Sequence, residues 1–95
     1  MAKSIFSRPQ ELLQELLRDA RKKAGLTQME MAAKLDKPQS YVSKYESGER
    51  RLDLLELREI CLAAQVSVSL FAKRFEAKLR RQSRADSRSD RQQQA

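Results

Sequence analysis

The chain has 95 residues, with 20 Lys and Arg against 13 Asp and Glu, which gives a formal net charge of +7. This length accommodates one domain with a small core. Because histidine is absent and cysteine occurs once, the composition excludes a disulfide framework, a cysteine-rich zinc site and a histidine-based triad. The positive charge favours a polyanionic partner, but charge alone does not identify that partner.

Other classes of function are also disfavoured. No apolar run approaches the roughly 18 residues of a membrane span, and the N-terminal residues lack the apolar region of a secretory signal. Together with the free thiol, these features predict a cytoplasmic protein without a membrane partner. The chain has no phosphate-binding glycine loop and no pair of carboxylates typical of acid–base catalysis. We therefore expect no enzymatic activity, no cofactor or metal, and no small-molecule ligand.

Apolar spacing and capping signals predict five helices and no strands. The first helix follows Pro9 and ends before Gly25, since glycine is common just beyond a helix C-terminus. Its apolar positions are Leu13, Leu16, Leu17 and Ala20. Thr27, with Glu30 three residues later, has the pattern of a capping box. This pattern predicts a short second helix over residues 28–35.

A tight turn around Asp36 leads into a third helix over residues 39–47, which Gly48 ends. Asp tolerates the left-handed conformation that such a turn requires, though less readily than Gly. The small Ala32 suits a close crossing of the two helices, and Val42 suits the buried side of the third helix. The pattern is typical of a helix-turn-helix spanning residues 28–47.

Two further helices complete the predicted domain. Asp53 and Glu56 form a second capping-box pattern at the start of a fourth helix that extends to about Ala64. The predicted inner face of this helix is apolar and consists of Leu54, Leu57, Ile60, Cys61 and Ala64. Ser67 caps a fifth helix, whose apolar stripe continues to about Gln82.

The two ends of the chain differ from the predicted helical domain, which spans residues 10–82. Residues 1–9 form an N-terminal extension. Residues 83–95 contain no large apolar side chain, so we expect this basic and polar tail to be disordered. Its arginines either remain solvated or strengthen non-specific binding to a polyanionic partner, and the sequence leaves both alternatives open.

The segment from Leu13 to Phe71 resembles the Cro/phage-repressor type of helix-turn-helix domain, also called the xenobiotic-response-element family. The matching residues are Arg21-x3-Gly25-Leu26-Thr27-Gln28-x2-Met31-Ala32-x2-Leu35 and Ser40-x-Val42-Ser43-Lys44-x-Glu46-x-Gly48. The resemblance implies an all-α, five-helix fold similar to the lambda-repressor DNA-binding domain, here with an extended C-terminal helix. It also implies sequence-specific binding to double-stranded DNA by a transcriptional regulator. Asp36 and Gln65 stand where the family often has Gly.

The resemblance also implies a role for particular residues. Gln39, Ser40 and Lys44 are expected to face base edges, and their side-chain types can bond bases or phosphates. Contact of Lys44 with a phosphate instead of a base is the alternative. Arg21 is expected to pair with Glu46. Contacts with the DNA backbone are expected from Arg21, Gln28 and Ser43. Arg50 and Arg51 directly follow the third helix and are expected to reach the flanking backbone, with plain solvation as the alternative.

A single recognition helix reads few base pairs, so we expect a homodimer on a palindromic operator, with half-sites about 34 Å apart. Phe75 and Leu79 continue the apolar stripe beyond the small core. They are predicted to be exposed in a monomer and to form the dimer interface, with Ile5, Phe6 and Leu12 as further candidates. The alternative is that Phe75 folds back on the first helix.

The sequence is therefore interpreted as a bacterial or phage repressor. The alternative is an antitoxin that neutralises a toxin and represses its own operon. Its tail would then fold on the toxin, but the tail's poverty in large apolar residues argues against this. A basic adaptor that binds only proteins is disfavoured by the Gln, Ser and Lys side chains expected on the outer face of the third helix.

Overall fold

The computed structural model describes the backbone of residues 7–94 and the side chains of residues 7–82. Within residues 7–94 it contains five α-helices and no strand, which confirms the predicted all-α fold. The helices are α1 (Arg8–Lys23), α2 (Gln28–Leu35), α3 (Gln39–Ser47), α4 (Leu54–Ala63) and α5 (Val68–Gln94). None of the helices in this part of the chain is long and apolar enough to cross a membrane.

The start of α1 differs slightly from the prediction. The helix begins at Arg8, because the Ser7 hydroxyl accepts a hydrogen bond from the backbone N–H of Gln10 at 3.4 Å. Pro9 thus lies inside the first turn, where its missing N–H leaves no intrahelical bond unmade. The predicted dimer candidates Ile5 and Phe6 lie outside the described residues.

Both predicted capping boxes are confirmed. The Thr27 hydroxyl accepts from the Glu30 N–H at 3.1 Å, and the Glu30 carboxylate accepts from the Thr27 N–H at 2.8 Å. The hydrogen bond from the Thr27 backbone lowers the pKa of Glu30. Asp53 and Glu56 form the same reciprocal pair at the start of α4, with distances of 2.7 and 2.9 Å. Both helices therefore begin where the sequence predicts.

The turn of the helix-turn-helix depends on left-handed backbone at Asp36, whose φ is 56° and ψ is 46°. Here the Lys37 N–H donates to the carbonyl of Ala32 at 2.9 Å, which closes the end of α2. Gln65, after α4, is the second non-glycine residue with positive φ, at 61°. Glycine would adopt both conformations without the steric penalty of a Cβ.

The core lies between the helices. α2 packs against α3 and α4, while α1 packs against α3 and α5. The buried apolar side chains are Leu12, Leu16, Leu17, Met31, Ala32, Val42, Tyr45, Ile60, Cys61, Ala64 and Phe71. Burial raises the pKa of the Cys61 thiol, so this cysteine is a small core residue that remains protonated at neutral pH.

Two predictions about burial were wrong. Leu54, predicted on the inner face of α4, is 71% exposed because it is the first residue of the helix and projects beyond the core. Leu12, predicted as a candidate for the dimer surface, is buried. It lies four residues before Leu16 on the same face of α1, and this face meets the core.

Burial on α5 also differs from the prediction. Phe75 is half-buried and packs against the core, so its predicted full exposure in a monomer was wrong. Leu79 is half-buried as well. An ion pair between Lys78 and Glu15, at 3.5 Å, holds this part of α5 against α1.

The end of the fifth helix also differs from the prediction, because the backbone is helical to Gln94 and not only to about Gln82. The sequence contains no Gly or Pro after Gly48, and an existing helix adds each further residue at little cost. A lack of apolar side chains predicts that a segment does not pack on a core. It does not prevent that segment from continuing a helix.

Candidate nucleic-acid interface

The outer face of α3 is polar and open. Gln39, Ser40, Ser43 and Lys44 are all exposed, whereas Val42, Tyr45 and Glu46 point inward and are buried. None of these four exposed side chains forms a hydrogen bond with another side chain in residues 7–82. Their amide, hydroxyl and ammonium groups are therefore free to bond base edges or phosphates.

The inner side of α3 is held by a buried ion pair with α1. Arg21 Nε donates to Glu46 Oε2 at 2.7 Å, and a second guanidinium nitrogen donates to Oε1 at 3.1 Å. The guanidinium also donates to the Leu26 carbonyl at 2.8 Å. Bidentate geometry of this kind fixes the orientation of both partners. The pair therefore sets the position of α3 relative to α1.

Gln28, the first residue of α2, joins the same cluster. Its side-chain amide donates to Glu46 Oε1 at 3.1 Å, and its side chain is half-buried. Within residues 7–82 the Gln28 amide forms no other side-chain hydrogen bond. It can therefore also bond an anion, and the N-terminus of a helix attracts anions. Arg21 is buried to a greater extent, so its predicted contact with a phosphate is less favoured than that of Gln28.

Arg50, in the loop after α3, contacts both α3 and α4. Its guanidinium lies 4.9 Å from the centre of the Tyr41 ring and forms a salt bridge with Glu56 at the start of α4. The Tyr41 ring in turn packs edge-on against Tyr45, with centroids 5.5 Å apart. Arg50 thus has defined partners within the protein, while Arg51 is exposed beside it.

Burial raises the pKa of the Tyr41 hydroxyl, and the nearby Glu56 carboxylate raises it further. The hydroxyl therefore stays protonated at neutral pH and can donate a hydrogen bond. The Lys37 ammonium lies 5.5 Å from the centre of the same ring. Two cations thus flank Tyr41 at the edge of the outer face of α3.

Gln14 contributes to the C-terminal end of α3, a role that the sequence did not indicate. Its amide nitrogen donates to the Glu46 carbonyl at 3.4 Å. Gly48 ends the helix with φ of 87°, and a Cβ at this position would lie 2.8 Å from Gln14 Oε1. Because 32 residues separate Gln14 from Glu46, no local pattern links them. Only the packing of α1 on α3 reveals this contact.

The charges of the interface are distributed unevenly. Lys44 is the only ionisable side chain on the exposed face formed with Gln39, Ser40 and Ser43, and the carboxylate of Glu46 is turned inward. A surface without an exposed carboxylate can approach a polyanion without charge repulsion. The geometry is therefore that of a helix whose exposed face can enter a groove of DNA.

Comparison with known proteins decides the family. A family model described as helix-turn-helix matches residues 17–71. The chain belongs to the helix-turn-helix family. This match covers α1 from Leu17 onward, α2, α3, α4 and the start of α5. It therefore includes Arg21, Gln28 and Glu46, the residues joined around the buried ion pair. The chain is a DNA-binding protein of the transcription-regulator class.

Two solved structures are similar to this chain. An XRE-family-like protein from Pseudomonas syringae pv. tomato str. DC3000 is 40% identical, with a TM-score of 0.72, and the match covers 81% of this chain and 94% of that one. This likeness confirms the resemblance to the xenobiotic-response-element family.

The clp gene regulator ClgR from Corynebacterium glutamicum is 23% identical, with a TM-score of 0.74. The match covers 88% of this chain and 89% of that one, and it supports the fold alone. No curated protein sequence matches this chain significantly.

Proposed function

We propose that the protein is a sequence-specific repressor that binds a palindromic operator in double-stranded DNA as a dimer. The observation that carries this proposal is the exposed, hydrogen-bond-capable face of α3, which is free of carboxylates. In this arrangement α3 lies in the major groove, and Gln39, Ser40 and Lys44 read base edges. Lys44 is the strongest candidate for guanine, whose major-groove edge carries two acceptors.

The backbone contacts supply affinity and orientation. Gln28 at the start of α2 bonds a phosphate on one side of the groove, helped by the free N–H groups of the helix terminus. The DNA backbone on the other side of the groove is bonded by Ser43 on α3 and by Arg50 and Arg51 in the loop that follows α3. Arg21 acts mainly through Glu46, because its guanidinium is already enclosed by protein acceptors.

Repression follows from occupation of the operator, since a bound protein blocks access of other proteins to the same DNA. Two copies are required for useful specificity because one recognition helix reads too few base pairs. Half-sites centred about 10 base pairs apart would place both copies on the same side of the duplex.

The decisive experiment is selection of bound sequences from a random pool of duplex DNA at physiological salt. We expect an enriched inverted repeat with half-sites about 10 base pairs apart. Enrichment of no sequence above the starting pool would contradict sequence-specific binding. Enrichment of an isolated, non-repeated site would contradict binding as a symmetric dimer.

The role of Lys44 is tested on the selected sequence and on a scrambled duplex. Lys44→Ala should weaken binding to the selected site by about 1–3 kcal/mol and relax the preference at one base position. Lys73→Ala is the matched control, because Lys73 is an exposed lysine on α5. Equal losses on both duplexes for Lys44→Ala would show that this lysine contacts only phosphate.

A further inference from the structure

α4 carries apolar side chains on two opposite sides. Its inner side is buried in the core, but Leu55 and Leu62 on the other side are 75% and 57% exposed. Arg58 and Glu59 lie between them on the same side and are exposed too. Helical spacing of three, four and seven residues aligns all four side chains in one stripe. This stripe is called the outer face of α4.

The order of residues on the outer face of α4 is self-complementary. When two copies of the helix lie antiparallel, with the symmetry axis passing between Arg58 and Glu59, Leu55 of one copy faces Leu62 of the other. Arg58 then faces Glu59, and the same pairs recur on the other side of the axis. Such an arrangement is required of a symmetric contact, in which each patch must match itself. A parallel arrangement would instead set like charges opposite each other.

The neighbouring surface supplies space for a leucine from the second copy. A groove of about 500 Å³ lies beside the outer face of α4, and Glu59 and Leu62 are part of its wall together with the end of α2. In the antiparallel arrangement the leucine that meets Leu62 is Leu55 of the other copy, which reaches the edge of this groove. Two equivalent contacts of this kind form in a dimer.

α4 is also connected to α3, the proposed recognition helix. The salt bridge from Arg50 to Glu56 and the stacking of Arg50 on Tyr41 connect the first turn of α4 to α3. A dimer axis through α4 therefore holds two copies of α3 in one geometry. Phe75, which was first considered for this purpose, packs instead against the core of its own chain.

We propose that the outer face of α4 binds the same face of a second copy, antiparallel, and that this contact forms the dimer on DNA. The inference rests on the proposed function for its biological purpose, but the contact itself is measurable without DNA. A pair of ten-residue helices buries less than the roughly 1,000 Å² of a stable interface. The dimer is therefore weak in free solution and strengthened when both copies bind adjacent half-sites.

Charge reversal provides the test. Arg58→Glu places acids opposite acids in the antiparallel pair, and Glu59→Arg places cations opposite cations. The double variant Arg58→Glu/Glu59→Arg restores opposite charges at every position. Sedimentation from about 10 μM to about 1 mM protein, at low salt so that exposed charges are not screened, gives the dissociation constants.

We expect weak association of the natural chain, a loss of about tenfold for each single variant, and recovery to within about threefold for the double variant. An equimolar mixture of the two single variants should associate more tightly than either variant alone, because the mixed pair is complementary. Leu62→Lys should also prevent association, whereas Leu70→Lys, at an exposed leucine on α5, should not. Thermal unfolding checks that each variant is folded.

Several outcomes would overturn the proposal. One is a natural chain that stays monomeric up to about 1 mM. Another is a double variant, or a mixture of the single variants, that associates no more tightly than either single variant alone. Failure to restore association would point to a different protein as the occupant of this face. Binding of a short duplex with one half-site does not require the dimer and should be unchanged in every α4 variant. Failure of the natural chain itself to bind this duplex would refute the proposed function, separately from the α4 contact.

Discussion

The carboxylate of Glu46 connects three helices at the scale of single residues. It lies on α3 and accepts hydrogen bonds from Arg21 on α1 and from Gln28 on α2. A buried charge is stable only when its partners satisfy it, so removal of one member leaves the other without compensation. Glu46 is therefore central both to the fold and to the placement of the exposed face of α3.

Glu46→Ala is expected to lower the free energy of unfolding by about 3–5 kcal/mol, because Arg21 would be left as a buried, unpaired cation. Urea unfolding measures this change. The control is Glu11→Ala, which removes an exposed pair with Arg8 and should cost less than about 1 kcal/mol. Replacing both members by apolar residues, as in Arg21→Met/Glu46→Leu, should destabilise less than Glu46→Ala alone.

The result that would contradict this interpretation is a Glu46→Ala variant as stable as Glu11→Ala. It would mean that Arg21 finds solvent or another acceptor once its partner is gone. In that case the ion pair would not determine how α1 holds α3, and variants of Gln28 would have to be interpreted as changes in DNA contact alone.

At the scale of helices, the ends of α2 and α4 are strained because non-glycine residues adopt left-handed backbone there. Asp36 follows α2, and Gln65 lies just beyond the cap of α4. A left-handed conformation costs a residue with a Cβ roughly 1–2 kcal/mol. Asp relieves part of this cost through its short polar side chain, whereas Gln does not.

We therefore expect Gln65→Gly to raise the free energy of unfolding by about 1 kcal/mol and Asp36→Gly to raise it by less. Thermal or urea unfolding of the two variants side by side gives the comparison. Glu76→Gly, at an exposed helical position of α5, is the control and should lower stability by about 1 kcal/mol. A loss of stability for Gln65→Gly would show that its left-handed backbone carries little strain.

The helices themselves could be predicted because their signals are local. Thr27 and Asp53 mark starts through their own hydrogen bonds, and Gly25 and Gly48 mark ends through positive φ. The end of α5 could not be predicted in the same way. No local signal stops it, and the lack of large apolar residues after Gln82 concerns packing rather than helicity.

Burial and contacts were predicted less well, because they depend on how helices pack. Periodicity placed Leu54 on the inner side of α4 but could not show that the core ends before it. Likewise, periodicity showed that Phe75 continues an apolar stripe, but not that this side chain packs against the core of its own chain. The role of Gln14 at the end of α3 joins residues far apart in sequence. All three require the crossing of helices to be known.

At the scale of the whole molecule, positive charge is concentrated outside the helix-turn-helix. Residues 25–78 contain nine basic and eight acidic side chains, so this part is nearly neutral. Residues 1–24 and 79–95 each have an excess of three positive charges. The proposed function thus assigns recognition to α3 and general attraction to DNA to the flanking parts of the chain. The first depends on the position of a few side chains and the second on total charge.

The C-terminal arginines allow this division to be measured. Replacing Arg84, Arg88 and Arg91 by Gln removes three positive charges without introducing a helix breaker. Each phosphate that an arginine neutralises contributes about 0.9 to the slope of log affinity against log salt. We therefore expect this variant to lower the magnitude of the slope by about 1–3 and to weaken binding to the selected operator and to random DNA alike.

The ratio of the two affinities should stay unchanged in the arginine variant, in contrast to Lys44→Ala, which is expected to reduce it. Titrations of both duplexes at a series of salt concentrations provide the slope and the ratio together. A slope equal to that of the natural chain would show that these arginines do not contact DNA. A lower ratio would show that they take part in sequence recognition, because a contact made only with phosphates weakens both complexes equally.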